Sequence, residues 1–95
     1  MKVVALVQCT AGDLSKSRDE NDYVVGLCKR SPLFNSIALA CPDEPDSHEL
    51  EVLADDWGIK CYRGDEFNIA NRLLGAALQE NADIVVRVLL RQFYL

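Results

Sequence analysis

Prolines number three and glycines five in this 95-residue chain, aromatic residues make up 7%, and there is one histidine and one methionine. So little proline and glycine excludes collagen-like, linker-like and low-complexity readings, and 49% hydrophobic residues exclude a disordered chain. Long apolar runs are also missing: nothing approaches the roughly 18 to 20 residues of a membrane-spanning helix. The apolar start, Val3 to Val7, runs into Gln8 and Cys9 with no small-residue cleavage pattern, and reads as a strand and not as a signal core. Positive charge is scarce, with 10 basic against 15 acidic residues and a net charge of −5. Phosphate neutralisation along a nucleic acid needs clustered Lys and Arg, and Lys29-Arg30 is the one tight basic pair. Neither a nucleic-acid partner nor a membrane is expected. The four cysteines, Cys9, Cys28, Cys41 and Cys61, contain no C-x-x-C pair, and His48 alone cannot complete a zinc pattern. They read as buried, reduced thiols in a cytoplasmic protein.

What is present is an alternation of short apolar runs with helical periodicity, which is the mark of an α/β domain. Val3 to Val7, Ile37 to Cys41 and Ile84 to Val86 have the pattern of strands buried on both faces, while Ile59 to Tyr62 alternates and belongs nearer a sheet edge. A helix around Tyr23, Val24, Leu27 and Cys28 ends before Pro32. A second starts at Asp46 as N-cap with Glu49 three residues on, carries Leu50, Leu53, Ala54 and Trp57, and stops at Gly58. A third starts near Asn68, carries Ala70, Leu73, Leu74, Ala77 and Leu78, and stops near Asn81. The expected architecture is one domain over 1–95: a Rossmann-like, three-layer half-domain with a mostly parallel sheet of about four strands and three helices. So short a chain has a thin margin of stability, and self-association is expected of it.

Ligands on such sheets sit beyond the carboxyl ends of the strands. The first such loop, Gln8 to Arg18, has Gly12 alone and neither phosphate-binding glycine motif, so only Lys16 and Arg18 could hold an anion there, through side chains; a solvated loop is the plainer alternative. Asp43, Glu44 and Asp46 could hold Mg²⁺ with carboxylate oxygens, but two prolines and a helix start explain the same residues. His48 reads as a surface residue and Trp57 as core. No residue identifies a reaction on its own.

Taken together, Lys2 to Gln8, Cys28 to Leu33, Ile37 to Asp43 and Leu53 to Gly64 resemble segments of the cytidylyltransferase family that includes spore-coat polysaccharide biosynthesis protein F and the acylneuraminate and deoxy-octulosonate CMP-sugar synthetases. The closest stretch is Glu66, Asn68, Ile69, Arg72, Ala76-Ala77 and Asn81 to Val88, which is similar to the family's R-G-x-E-x-D-V-x-x-R and A-D-I-V-V-R-I patterns. The resemblance implies a nucleotide-diphospho-sugar transferase-like fold, of which this chain is the N-terminal half, and a place in polysaccharide or nucleotide-sugar biosynthesis. Members transfer a nucleotidyl group from CTP or a related NTP to a sugar or sugar acid with Mg²⁺. Gln8, Gly12, Lys16, Arg18, Arg63, Asn68 and Arg72 become candidate nucleotide-binding residues.

The departures are equally specific. Where the family has Q-A-R-x-x-S-x-R-L-P-G-K, this chain has Thr10 at the first arginine and no L-P-G-K; where it has T-G-D-C-P-L, Arg91 replaces the metal-binding aspartate. The resemblance therefore implies a truncated nucleotidyltransferase-like domain, inactive alone and acting in nucleotide binding or assembly, with no catalytic or metal residue assigned. Mg²⁺ with CTP is expected only if it is active, and then with a partner chain completing the site. A purely structural module is the other reading. The partners expected are a nucleotide or nucleotide sugar, and a second copy of the chain through Val88 to Leu95 or a sheet edge.

Overall fold

The computed structural model describes residues 1–10 and 18–89, with 18–20 described by backbone only. Strands β1 (Val3–Gln8), β2 (Ser36–Pro42), β3 (Lys60–Gly64) and β4 (Ile84–Leu89) alternate with helices α1 (Arg18–Arg30), α2 (His48–Trp57) and α3 (Ile69–Gln79). The strands form one parallel sheet in the order β3-β2-β1-β4. The expected α/β, Rossmann-like sheet of four strands and three helices is thus the one observed.

β1 lies in the interior of the sheet because its residues are apolar on both faces: Val4, Ala5, Leu6 and Val7 are each 0% exposed. Ala5, Val7 and Cys9 pack with Leu39 and Cys41 under α1 and α2, whose Val24, Val25, Leu50, Leu53, Ala54 and Trp57 close that layer. Val4 and Leu6 pack with Ala38 and Ala40 under α3, through Ala76 with Leu73 and Ala77. Trp57 is core, as expected, and its indole N–H donates to Asp22 Oδ1 at 2.6 Å. His48 is exposed in the first turn of α2.

Several expectations need correcting. Ile84, Val85 and Val86 are 44%, 38% and 40% exposed, not buried on both faces, because β4 pairs only with β1 among the described residues and α3 lies over β3, β2 and β1. Of the expected stripe on α3, Leu73 and Ala77 face the sheet, but Ala70, Leu74 and Leu78 are exposed; Arg72, Ala76 and Glu80 complete the covered face. On α1 the covered residues are Asn21, Val24, Val25 and Cys28, with Tyr23 and Leu27 exposed. Asp46 does not cap α2: it lies in a 3-10 turn, Pro45–Ser47, that leads into the helix, and Ser47 Oγ donates to Pro42 O at 2.5 Å. The helix ends were legible. Gly58 (φ 71°) and Asn81 (φ 54°) are left-handed, and the N–H of Ile59 and of Ala82 reach back to Ala54 O and Ala77 O, each at 3.0 Å.

α3 approaches β3 closely because Gly75 has no side chain. A Cβ there would meet Tyr62 Oη and lie 2.6 Å from Tyr62 Cζ. Alanine normally favours a helix over glycine by about 1 kcal/mol. Here the clash reverses the sign, and Gly75→Ala is expected to lower stability by about 1–3 kcal/mol in urea denaturation. Unchanged or higher stability would refute this packing.

Candidate functional site

The chain order turns around β1: β2 and β3 extend to one side of it and β4 returns to the other. At such a reversal of strand order a crevice opens beyond the carboxyl ends of the two strands, here β1 and β4. A cleft of about 250 Å³ lies at that point. Gln8, Cys9 and Thr10 line it from the end of β1, Leu89 from β4, and Glu66, Phe67, Ile69 and Arg72 from the loop and first turn that join β3 to α3.

The β3–α3 loop is held by its own polar groups. Asp65 Oδ1 accepts the backbone N–H groups of Phe67 and Asn68 at 3.0 and 2.9 Å, and Asn68 Oδ1 accepts Asn71 N–H at 3.0 Å, capping α3. Arg72, only 3% exposed, donates through Nε to Asp65 O at 3.0 Å and through Nη2 to Glu66 O at 3.2 Å. Its charge is thus delivered to the wall of the cleft with part of its donor capacity spent on the loop. The N–H groups of Asn68 and Phe67 hold the Asp65 carboxyl below the usual aspartate range. On the β1–β4 side, Arg87 Nε donates to Gln8 Oε1 at 2.6 Å.

The candidate residues divide by position. Gln8 and Arg72 meet at the cleft, and Asn68 stands beside it as the cap of α3. Arg63 does not join them. It sits on the α1/α2 side of the sheet with its register partner Cys41, where its guanidinium lies 3.1 Å from Asp43 Oδ1, binds Glu51 Oε1 and donates to Glu44 O at 2.5 Å. The Glu51 hydrogen bond, before any other cause, raises its already high pKa. Asp43, considered for Mg²⁺, is thereby an ion-pair partner. Gly12 and Lys16 lie outside the described residues, as do Leu90 to Leu95, and Arg18 opens α1 with its backbone alone described. Sequence reasoning missed Phe67, 89% exposed at the rim, and Arg87; a lone arginine in an apolar strand was the available signal for the latter.

Among the described residues no group of three or more His, Cys, Asp or Glu side chains could hold a metal ion. Glu66 is the single carboxylate among the described residues that line the cleft, so this donor set does not fit a metal site built by the protein. No helix among the described residues is long and apolar enough to cross a membrane.

No family model and no curated protein matches the chain. Among solved structures, a cytidylyltransferase from Leptospira borgpetersenii serovar Hardjo-bovis is similar, with a TM-score of 0.83 and 24% sequence identity. The match covers 95% of this chain and 42% of that one, so the two share a fold over less than half the length of the longer protein.

The Asp65 hydrogen bonds make the loop sensitive to acid. Because the folded carboxyl titrates below its unfolded value, its contribution is complete above the unfolded pKa and is lost as pH falls through the folded one. NMR titration is expected to place Asp65 below the ordinary aspartate range, and Asp65→Asn to speed amide exchange at Phe67 and Asn68. An ordinary midpoint with unchanged exchange would contradict this account.

Proposed function

We propose that this chain is a cytidylyltransferase-like domain that binds a nucleotide at the β1–β4 cleft and does not turn it over by itself, serving nucleotide binding or assembly in polysaccharide or nucleotide-sugar biosynthesis in the cytoplasm. The observation that carries the reading is the cleft at the reversal of strand order, where Gln8, Thr10 and Arg72 converge. The resemblance of the Glu66 to Arg72 and Asn81 to Val88 segments to cytidylyltransferases, and the fold shared with one, support it. Binding is weak in this reading because Arg72, the single arginine among the described residues that line the cleft, is already engaged by loop carbonyls, and Arg87, which does not line it, is held by Gln8. Turnover is absent because nucleotidyl transfer needs concentrated positive charge on the phosphates, from metal or arginine, and Thr10 stands where the resemblance calls for an arginine.

Titration calorimetry is expected to show CTP binding in the range of about 0.1–1 mM. Arg87→Ala, which frees the Gln8 side chain that Arg87 holds at the cleft, should weaken that binding about threefold or more. Pyrophosphate release should be absent with each of the four NTPs and candidate sugar acids. Failure of all four NTPs to bind would overturn the nucleotide reading, and release of pyrophosphate by the chain alone would overturn its inactivity. In the latter case Mg²⁺ with CTP becomes the working cofactor pair, and Lys16 and Arg18 the residues to test for holding the phosphates.

A second reading, homodimer formation, is favoured by β4. Its outer edge has no strand partner among the described residues, and Ile84, Val85 and Val86 are partly exposed on its two faces. Unpaired apolar edges promote strand pairing. Antiparallel pairing of β4 with a second copy about Val86 would set Arg87 opposite Val85 of the other strand, so no like charges would meet. Sedimentation velocity is expected to show a dimer that Val86→Lys converts to a monomer with unchanged circular dichroism. A strict monomer at high concentration would eliminate this reading.

A further inference from the structure

The lining of the β1–β4 cleft is unlike that of a phosphate site. Among its described residues Phe67, Ile69 and Leu89 are apolar, Gln8 and Thr10 are polar and neutral, and the charged ones are Glu66, whose carboxylate repels phosphate, and Arg72. Arg72 is the single cation of that lining, and it spends Nε and Nη2 on the carbonyls of Asp65 and Glu66. A concave wall of apolar side chains with a few polar groups suits the flat, uncharged part of a ligand.

Phe67 is the most exposed apolar side chain of that wall, at 89%, with Ile69 at 44%. Among the large apolar side chains of the described residues only Met1, at the chain terminus, is as open to water. Its backbone is nevertheless fixed. The Phe67 N–H donates to Asp65 Oδ1 at 3.0 Å, and the next residue, Asn68, donates to the same oxygen and caps α3. An aromatic ring that fills no core position is thus held in water at the rim of the cleft.

Resting on the nucleotide reading above, we infer that Phe67 is the stacking platform for the nucleobase, so that the cleft holds the base of the nucleotide and not its phosphates. Stacking suits this position because every base has a π face, and the contact removes the exposed ring from water. The phosphates then point away from Glu66 and toward solvent. Affinity in this arrangement resides in the nucleoside, and it changes little with salt because no ion pair carries it.

The test is NMR titration of the full chain with cytidine, CTP and inorganic pyrophosphate. Cytidine is expected to bind with an affinity comparable to that of CTP, its H5 and H6 protons are expected to move upfield in the ring current of Phe67, and pyrophosphate should not displace it. Phe67→Ala should weaken both cytidine and CTP about fivefold or more and abolish the upfield shift. Phe67→Tyr should retain both, and circular dichroism should be unchanged in each variant because the side chain lies outside the core. A wild-type chain that binds CTP but not cytidine, base protons that do not move upfield, or a Phe67→Ala chain of undiminished affinity would overturn this inference and leave the nucleotide reading standing. A wild-type chain that binds neither nucleoside nor nucleotide would remove both.

Discussion

Everything in this structure depends on the parallel pairing of β1 with a strand on each side. β1 joins Val4 to Ser36 and Gln8 to Ala40 on one flank, and Val3 to Ile84 and Gln8 to Leu89 on the other. Four successive residues, Val4 to Val7, are thereby removed from water on both faces of the sheet. The large ones each contribute about 1.5–3 kcal/mol of apolar burial. The start of the strand is fixed as well: Val3 N–H donates to Asn35 Oδ1 and Lys2 N–H to Asp83 Oδ2, both at 2.7 Å. Both flanking strands are tied down at the same point, and the cleft at the far end of β1 inherits its shape from that register.

The charged groups near the carboxyl ends show a division of labour. Arg63, Arg72 and Arg87 are all engaged within the chain, by carboxylates, by loop carbonyls and by a glutamine respectively. Such pairing orders the loops before any ligand arrives, at the cost of free positive charge for a phosphate. The shared fold with a longer cytidylyltransferase, which this chain spans over 42% of its length, places the same sheet in a larger protein.

The two faces of the sheet carry different chemistry. On the α3 side, Tyr62 fits over Gly64 and Gly75 and brings helix and strand into close contact beside the cleft. On the other side, the sulfur pair and the Arg63 cluster lie together at the ends of β2 and β3. Alternation along β3 separates them: Tyr62 points one way, Cys61 and Arg63 the other.

Local chemistry determined the order of elements. Apolar runs marked the strands, Gly58 and Asn81 marked the helix ends through their left-handed backbone, and Asn68 marked the start of α3 through its side-chain oxygen. These are properties of a few neighbouring residues, and the sequence carries them in full. The strand order was not legible, and with it went the exposure of Val85 and Val86, whose composition is that of a buried strand. Which partner each arginine meets was equally hidden, since Arg63 and Glu51 are 12 residues apart and Arg87 and Gln8 are 79. Four cysteines in sequence read as four similar thiols. Only the diagonal register of two parallel strands sets two of them sulfur to sulfur, because that contact is a property of packing across the sheet and not of any local segment.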